Sequence, residues 1–272
     1  EVGFESLPVI APATHDTASA VVAVPAEDDD FAWLSSGTWS LLGGISAKPI
    51  VTPEALEYNF SSYGGVDGIY LPWKNIMGLW LVQECRRIWA RGGDRYSYDD
   101  LTQMAAQAKP FTAIVEPDHP CFLSPGDMPA AIQTFCRDTG QTVPDTKGEI
   151  ARTALEGLAL KYRWVLEKLE ILLDRKFNAL HVVGGGSQNK LLCQFTADAT
   201  QLPVIAGPVE ATAIGNIAVQ AVAGGQLASY EEARQVIRRS FDVVTYEPGE
   251  SSPWDEAYER FEKYAVKVKR EF

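Results

Sequence analysis

The chain has 272 residues, 46% of them hydrophobic, and its 24 Lys and Arg stand against 36 Asp and Glu for a formal charge of -12. That is apolar material for one large core or two modest ones, and the acidic balance, with no basic run before the last few residues, argues against nucleic acid as a partner. No apolar segment is long enough to span a bilayer, and EVGFESLPVI lacks the order of a signal peptide, so no membrane association and a cytoplasmic protein are expected.

In chain order, Leu7 to Ala13 reads as a short buried strand that delivers His15, Asp16 and Thr17 at its end, and ASAVVAV reads as the helix that follows. The first residue is Glu1 rather than Met, so a fragment or a processed product is expected, with an upstream partner domain. EDDD at Glu27 to Asp30 is a solvated loop. FAWLSSGTWSLLGG looks like two strands joined by a tight turn at Ser36-Gly37. From about residue 43 to 145 the pattern is irregular, with helical signals in MGLWLVQECRRIWARGG and YDDLTQMAAQAK, and it reads as an excursion from a regular core. Trp73, Trp80 and Trp89 within it are assigned to packing.

Order returns at GEIARTALEGLALKYRWVLEKLEILLDR, where Ile150, Ala154, Leu158, Tyr162, Val165, Leu169 and Leu172 keep the spacing of a long amphipathic helix. Strand ALHVV, three glycines, helix NKLLCQFTADAT, strand PVIAG, helix TAIGNIAVQAVAGG, helix SYEEARQVIRRS and a charged helix from Pro253 onward complete the chain. The alternation points to an α/β layered fold with a parallel element. Cys85, Cys121, Cys136 and Cys193 have no C-x-x-C spacing, and His15, His119 and His181 do not complete a ligand pattern, so neither a metal site nor a disulfide framework is expected.

Three polar turns carry the functional signal. GGGSQNK, at Gly184 to Lys190, is no P-loop, because Asn189 stands where a glycine is needed and Leu191 where a hydroxyl is needed. It is a near miss for the dinucleotide fingerprint G-x-G-x-x-G, again at Asn189, which keeps an NAD-dependent oxidoreductase open; a plain sharp turn capped by Asn189 or Ser187 is open too. SSGTW, at Ser35 to Trp39, offers hydroxyls and backbone N–H groups that suit phosphate oxygens, or else is an ordinary hairpin turn. Asp16 in HDTASA suits a catalytic base or a helix N-cap. All three sit where open α/β sheets place ligands, at strand ends.

HDTASAV, LSSGTWSLLG, KNIMGLWLVQE, HVVGGGSQN and VIAGPVEATAIGN, in that order, make the chain resemble the C-terminal half of the FGGY carbohydrate kinases, over essentially its whole length. The resemblance implies an α/β, ribonuclease-H-like domain of the actin and hexokinase ATPase type, with a mixed sheet flanked by helices. Residues 1–272 would be the nucleotide-side domain, with an irregular insertion at about 43–145, and the N-terminal sugar-binding domain would be absent from this chain. The implied activity is ATP-dependent phosphorylation of a ketose, with Mg²⁺, and the branch most resembled acts on L-rhamnulose at its 1-hydroxyl. Asp16 would be the base, Gly37 and Thr38 would contact the terminal phosphates of ATP, and Gly184, Gly185 and Gly186 would face the adenosine with Asn189 beside them. Glu210 and Thr212 would form part of the nucleotide pocket or merely cap a helix. Where that branch usually carries Asn-Glu near the substrate, this chain has Ser62-Tyr63. Without the other domain, with its own phosphate loop, the chain is expected to have little or no kinase activity; the alternative is a non-catalytic nucleotide- or sugar-binding domain of kinase fold.

Overall fold

The computed structural model describes residues 9–265. After a non-regular start come α1 (Asp16–Val22), the hairpin of β1 (Phe31–Ser36) and β2 (Trp39–Gly43), α2 (Pro53–Glu57), and a second hairpin of β3 (Ser61–Gly64) and β4 (Tyr70–Met77). Helices α3 (Trp80–Arg91), α4 (Tyr98–Gln107), α5 (Met128–Asp138) and α6 (Lys147–Leu173) follow, then β5 (Ala179–Val183), α7 (Lys190–Thr200), β6 (Val204–Ala206), α8 (Ala211–Ala223), α9 (Tyr230–Ser240), β7 (Val244–Tyr246) and α10 (Ser252–Ala265).

The strands form one mixed sheet in the order β3-β4-β2-β1-β5-β6-β7. β1 pairs antiparallel with β2 and parallel with β5, β5 is parallel to β6, and β7 is antiparallel to β6. Alternation along β1 sends Ala32 and Leu34 to one core and Phe31 and Trp33 to the other. The larger core packs α3 to α7 and α10 on one face, and the smaller packs α1, α8 and α9 on the other. This is the α/β layering expected from the alternating sequence pattern.

Three readings are corrected. Residues 9–13 form no strand, and Leu7 and Pro8 lie outside the described residues; Pro12 has no N–H to give a ladder. The stretch read as an excursion supplies β3 and β4, which complete one side of the sheet. β4 was hidden because Leu71, Pro72, Trp73 and Lys74 are all buried, which erases the period of two. Helix α6 is not amphipathic over its first half: Gly148 and Ile150 through Tyr162 are buried, since the sheet, α4 and α7 all cover it. The last helix ends at Ala265 within the described residues.

His181 on β5 shows how tightly the smaller core is closed. It is 3% exposed, edge-on to Phe31 at 5.3 Å, and its Nδ1 has no partner among the described residues. Burial, helped by Arg238 and Arg234 and opposed by Asp28, pushes its pKa down to about 4. The unfolded chain takes up this proton near pH 6.5 and the folded chain only near 4, so stability present above pH 6.5 is lost as pH falls through that window. The lost amount approaches about 3 kcal/mol. Urea unfolding from pH 7 to 4.5 should show this slope, and His181→Phe should flatten it; an unchanged slope would show that His181 is not its source.

Candidate functional site

The parallel strands β1, β5 and β6 end at Ser36, Val183 and Ala206, so the turns that follow them share one edge of the sheet. The turn after β1 is held from below. The Gly37 N–H donates to the Trp39 carbonyl (3.0 Å), the Gly37 carbonyl accepts from Leu79 (3.0 Å), and the Thr38 carbonyl accepts from both Gly78 and Trp80 (3.1 Å each). Thr38 Oγ1 donates to Gln83 (2.9 Å), while the Thr38 N–H takes no partner among the described residues. Gly78 is required at this join, because a Cβ there would lie 2.5 Å from Ser40 Oγ and 2.8 Å from the Gly37 carbonyl. Under β2, Ser40 Oγ and the Tyr162 hydroxyl are hydrogen-bonded at 2.7 Å, both fully buried. Burial pushes the Tyr162 phenol up to about 12, against the Ser40 hydrogen bond, so it stays protonated.

The glycine turn after β5 lies directly against Ser36. A Cβ on Gly186 would come 2.0 Å from Ser36 Oγ, and one on Gly184, which has φ +85°, would come 2.9 Å from the Ser36 carbonyl. Gly185 is exposed and a Cβ there would meet nothing within 4 Å. Two of the three glycines are therefore needed for strand packing and one presents bare backbone to solvent. The turn continues as a 3-10 turn, and Asn189 caps α7 by accepting from the Leu192 N–H at 3.0 Å.

The same edge receives α1 and α8. The Gly184 N–H donates to the Pro208 carbonyl (3.3 Å), and four residues further Thr212 Oγ1 donates to the Asp16 carbonyl (3.3 Å). Four residues span at most about 14 Å, so this short segment ties Asp16 to the same side of the domain as the glycine turn. The N-cap of α1 is His15, whose Nδ1 accepts the Thr17 N–H at 3.1 Å. Asp16 is therefore no cap; it is exposed and its carboxylate has no partner among the described residues. Glu210 is also exposed and makes no side-chain cap for α8.

The pair Ser62-Tyr63 is split by the strand's alternation. Tyr63, 41% exposed, stacks on Trp73 at 4.2 Å and stands 5.5 Å from the His15 ring, beside Asp16. Ser62 accepts from the Ile50 N–H at 2.9 Å and makes no contact of this kind with α1. Gly37, Thr38, the glycines and Asn189 thus share one edge, and Asp16 is tied to it through Thr212, whereas Tyr63, opposite Leu71, lies six ladder positions back from Met77 at that edge and Ser62 serves a loop. Sequence reading missed His15 as the cap, Gly78 as the fulcrum of the turn, and Gly215, whose absent side chain lets α8 meet α1. The spacing in KNIMGLW was the one available signal for Gly78.

Comparisons with known proteins give the family and the fold. Residues 32–224 match the model for the FGGY family of carbohydrate kinases, C-terminal domain. The chain is 49% identical over 259 residues to a rhamnulokinase from Bacteroides thetaiotaomicron, covering 95% of this chain and 53% of that one. It is 45% identical over 246 residues to a rhamnulokinase from Halalkalibacterium halodurans, covering 90% and 51%. The chain thus spans about half the length of these relatives. The crystal structure of xylulose kinase from Rhodospirillum rubrum superposes with a TM-score of 0.67 at 18% identity, over 93% of this chain and 50% of that one. At that identity the likeness carries the fold, an actin- and hexokinase-like α/β domain.

The crossing of α1 and α8 is the most sensitive contact of the site. A Cβ on Gly215 would lie 1.8 Å from the Ser19 carbonyl, which neither backbone can yield. Gly215→Ala should cost about 1–3 kcal/mol in urea unfolding by overpacking; a cost below about 0.5 kcal/mol would mean that the helices do not meet this closely.

Proposed function

The chain belongs to the FGGY family of carbohydrate kinases, and from that premise we propose that it is the nucleotide-side domain of an ATP-dependent ketose kinase acting on L-rhamnulose at the 1-hydroxyl. The names of its relatives support the sugar, and their twofold greater length supports a second, sugar-binding domain as its partner. Transfer would need both parts, and this chain alone would turn over little or no sugar. ATP supply favours a cytoplasmic setting; among the described residues no helix is long and apolar enough to cross a membrane.

The observation that carries the reading is the exposed Asp16 carboxylate, released from capping by His15, without a partner among the described residues, and tied through its backbone carbonyl to Thr212 at the start of α8. In the proposed step Asp16 takes the proton of the sugar hydroxyl as that oxygen bonds to the γ-phosphorus. The bond from γ-phosphorus to the bridging oxygen breaks, and ADP leaves with that electron pair. In this reading the Thr38 N–H, unpartnered among the described residues, would meet phosphate oxygens and the bare backbone at Gly185 the nucleoside, with Asn189 beside it. Among the described residues no group of three or more His, Cys, Asp or Glu side chains could hold a metal ion. Mg²⁺, when bound, would be held mainly through substrate phosphates and would neutralise their charge. Tyr63, on the Asp16 side of β3, is the residue of the exchanged pair that faces the sugar in this reading.

Asp16→Asn, in the polypeptide at the full length of its relatives, should lower L-rhamnulose-dependent ADP release by about 10²- to 10⁴-fold while ATP affinity holds within about twofold. Turnover near wild type would remove Asp16 as the base. ATP binding without turnover in the unaltered protein would instead favour the non-catalytic binding domain.

A further inference from the structure

Beneath the Gly37-Thr38 turn lies a charged group that the proposed reaction does not use. Lys161, in the middle of α6, is 5% exposed; its Nζ lies 2.8 Å from Glu116 Oε1 and 3.1 Å from Asp118 Oδ2. Glu116 is 1% exposed, and the ammonium also lies 4.8 Å from the centre of the Trp164 ring. The two carboxylates hold the lysine protonated, with its pKa raised against the opposing effect of burial. Replacing such a group by apolar residues of equal volume is commonly neutral or stabilising, so cohesion alone is a weak account of it.

The other oxygen of Asp118 supplies a different account. Asp118 Oδ1 accepts the Met77 N–H at 2.8 Å. β3 pairs with β4 only as far as Trp73, so this N–H, four residues beyond, has no β3 strand to bond. Met77 is directly opposite Trp39 in the β2–β4 ladder, and the next three residues, Gly78, Leu79 and Trp80, donate to the carbonyls of Gly37 and Thr38. A continuous path therefore runs from Lys161 through Asp118 to Met77, and from there through three N–H groups to the turn. Glu116 supports this path from the side: its carboxylate takes Lys161 and the Asp118 N–H, and it makes no hydrogen bond to β4 among the described residues.

We infer that Lys161 and Asp118 are positioning residues for the donor nucleotide: the lysine fixes one carboxylate oxygen of Asp118 so that the other pins the end of β4, and this sets the angle of the phosphate-facing turn. The inference rests on the proposed role of Gly37 and Thr38, but the placement of the turn can be read without it. A buried hydrogen bond to a charged group, once lost, leaves an orphan donor at the join.

The test uses the polypeptide at full relative length, with Asp118→Ala, Asp118→Asn and Glu116→Gln. Without nucleotide, hydrogen exchange at Met77 to Trp80 should quicken about tenfold in Asp118→Ala, less in Asp118→Asn, which keeps an acceptor for Met77, and least in Glu116→Gln, which keeps Asp118 and an acceptor for its N–H. ATP affinity by calorimetry should fall about tenfold in Asp118→Ala and stay within about twofold in Glu116→Gln, even where the two lose similar thermal stability. Unchanged exchange at Met77 to Trp80 in Asp118→Ala, or equal loss of ATP affinity in both variants, would overturn the inference. If the unaltered protein binds no ATP while exchange follows the expected order, the phosphate role of the turn fails and its placement by Asp118 stands.

Discussion

The site depends on one close approach, that of the glycine turn to the end of β1. Gly186 and Gly184 must lack side chains because Ser36 occupies the space a Cβ would need. This contact fuses the turn after β1 and the turn after β5 into one surface. The parallel pairing of β1 with β5 brings the two strand ends to the same height, but backbone packing closes the remaining gap. A methyl group at Gly186 could not be relieved by rotating Ser36, since the Ser36 Cβ and carbonyl would also be crowded, at 2.6 and 3.0 Å. From that fused surface a short segment leads from Pro208 to α8, and Gly215 brings α8 against α1. Asp16 thus reaches the same edge from a distant part of the chain.

Capping chemistry decides what Asp16 is free to do. An aspartate at the start of a helix is ordinarily consumed by its own N–H groups. Here the cap lies one residue earlier, and His15 takes the Thr17 N–H through Nδ1. The same ring packs against Tyr63 and Trp73. One imidazole therefore ends the helix, orders an aromatic wall and leaves the neighbouring carboxylate uncommitted. Sequence alone could not choose between cap and base for Asp16, because the choice depends on a one-residue shift in where helical geometry starts.

The α/β class, the β1–β2 hairpin, and the run from α6 through α9 were legible because their periods and turn residues agree. The GGG and SSGT turns were legible as turns at strand ends, for they interrupt regular patterns there. β4 was not legible, as both its faces are buried, nor was β7, a three-residue edge strand whose pairing with β6 is tertiary. The division of labour among the three glycines was also hidden. Nothing local distinguishes Gly185, open to solvent, from Gly186, packed on Ser36; the difference lies in a strand some 150 residues away.

Helix α6 explains why a core element carries so much charge. Arg152 donates to the Ala105 carbonyl, and Glu156 accepts the Phe111 N–H while pairing with Arg152 at 2.6 Å. Burial nonetheless pushes the Glu156 carboxyl up to about 7, against that partner, so the pair is held at a cost in solvation. Lys161 does the same for the segment at Glu116 to Asp118. Glu156 meets an N–H of the non-regular segment after α4, Arg152 meets carbonyls in the last turn of α4, and Lys161 meets two carboxylates of the non-regular segment before α5. Non-regular chain inside a core must find partners for its N–H and C=O groups, and an apolar α6 would offer none. The long stretch between β4 and α6 can therefore cross the covered face of the sheet in a fixed course, and the turn at Gly37-Thr38 inherits that fixity from beneath.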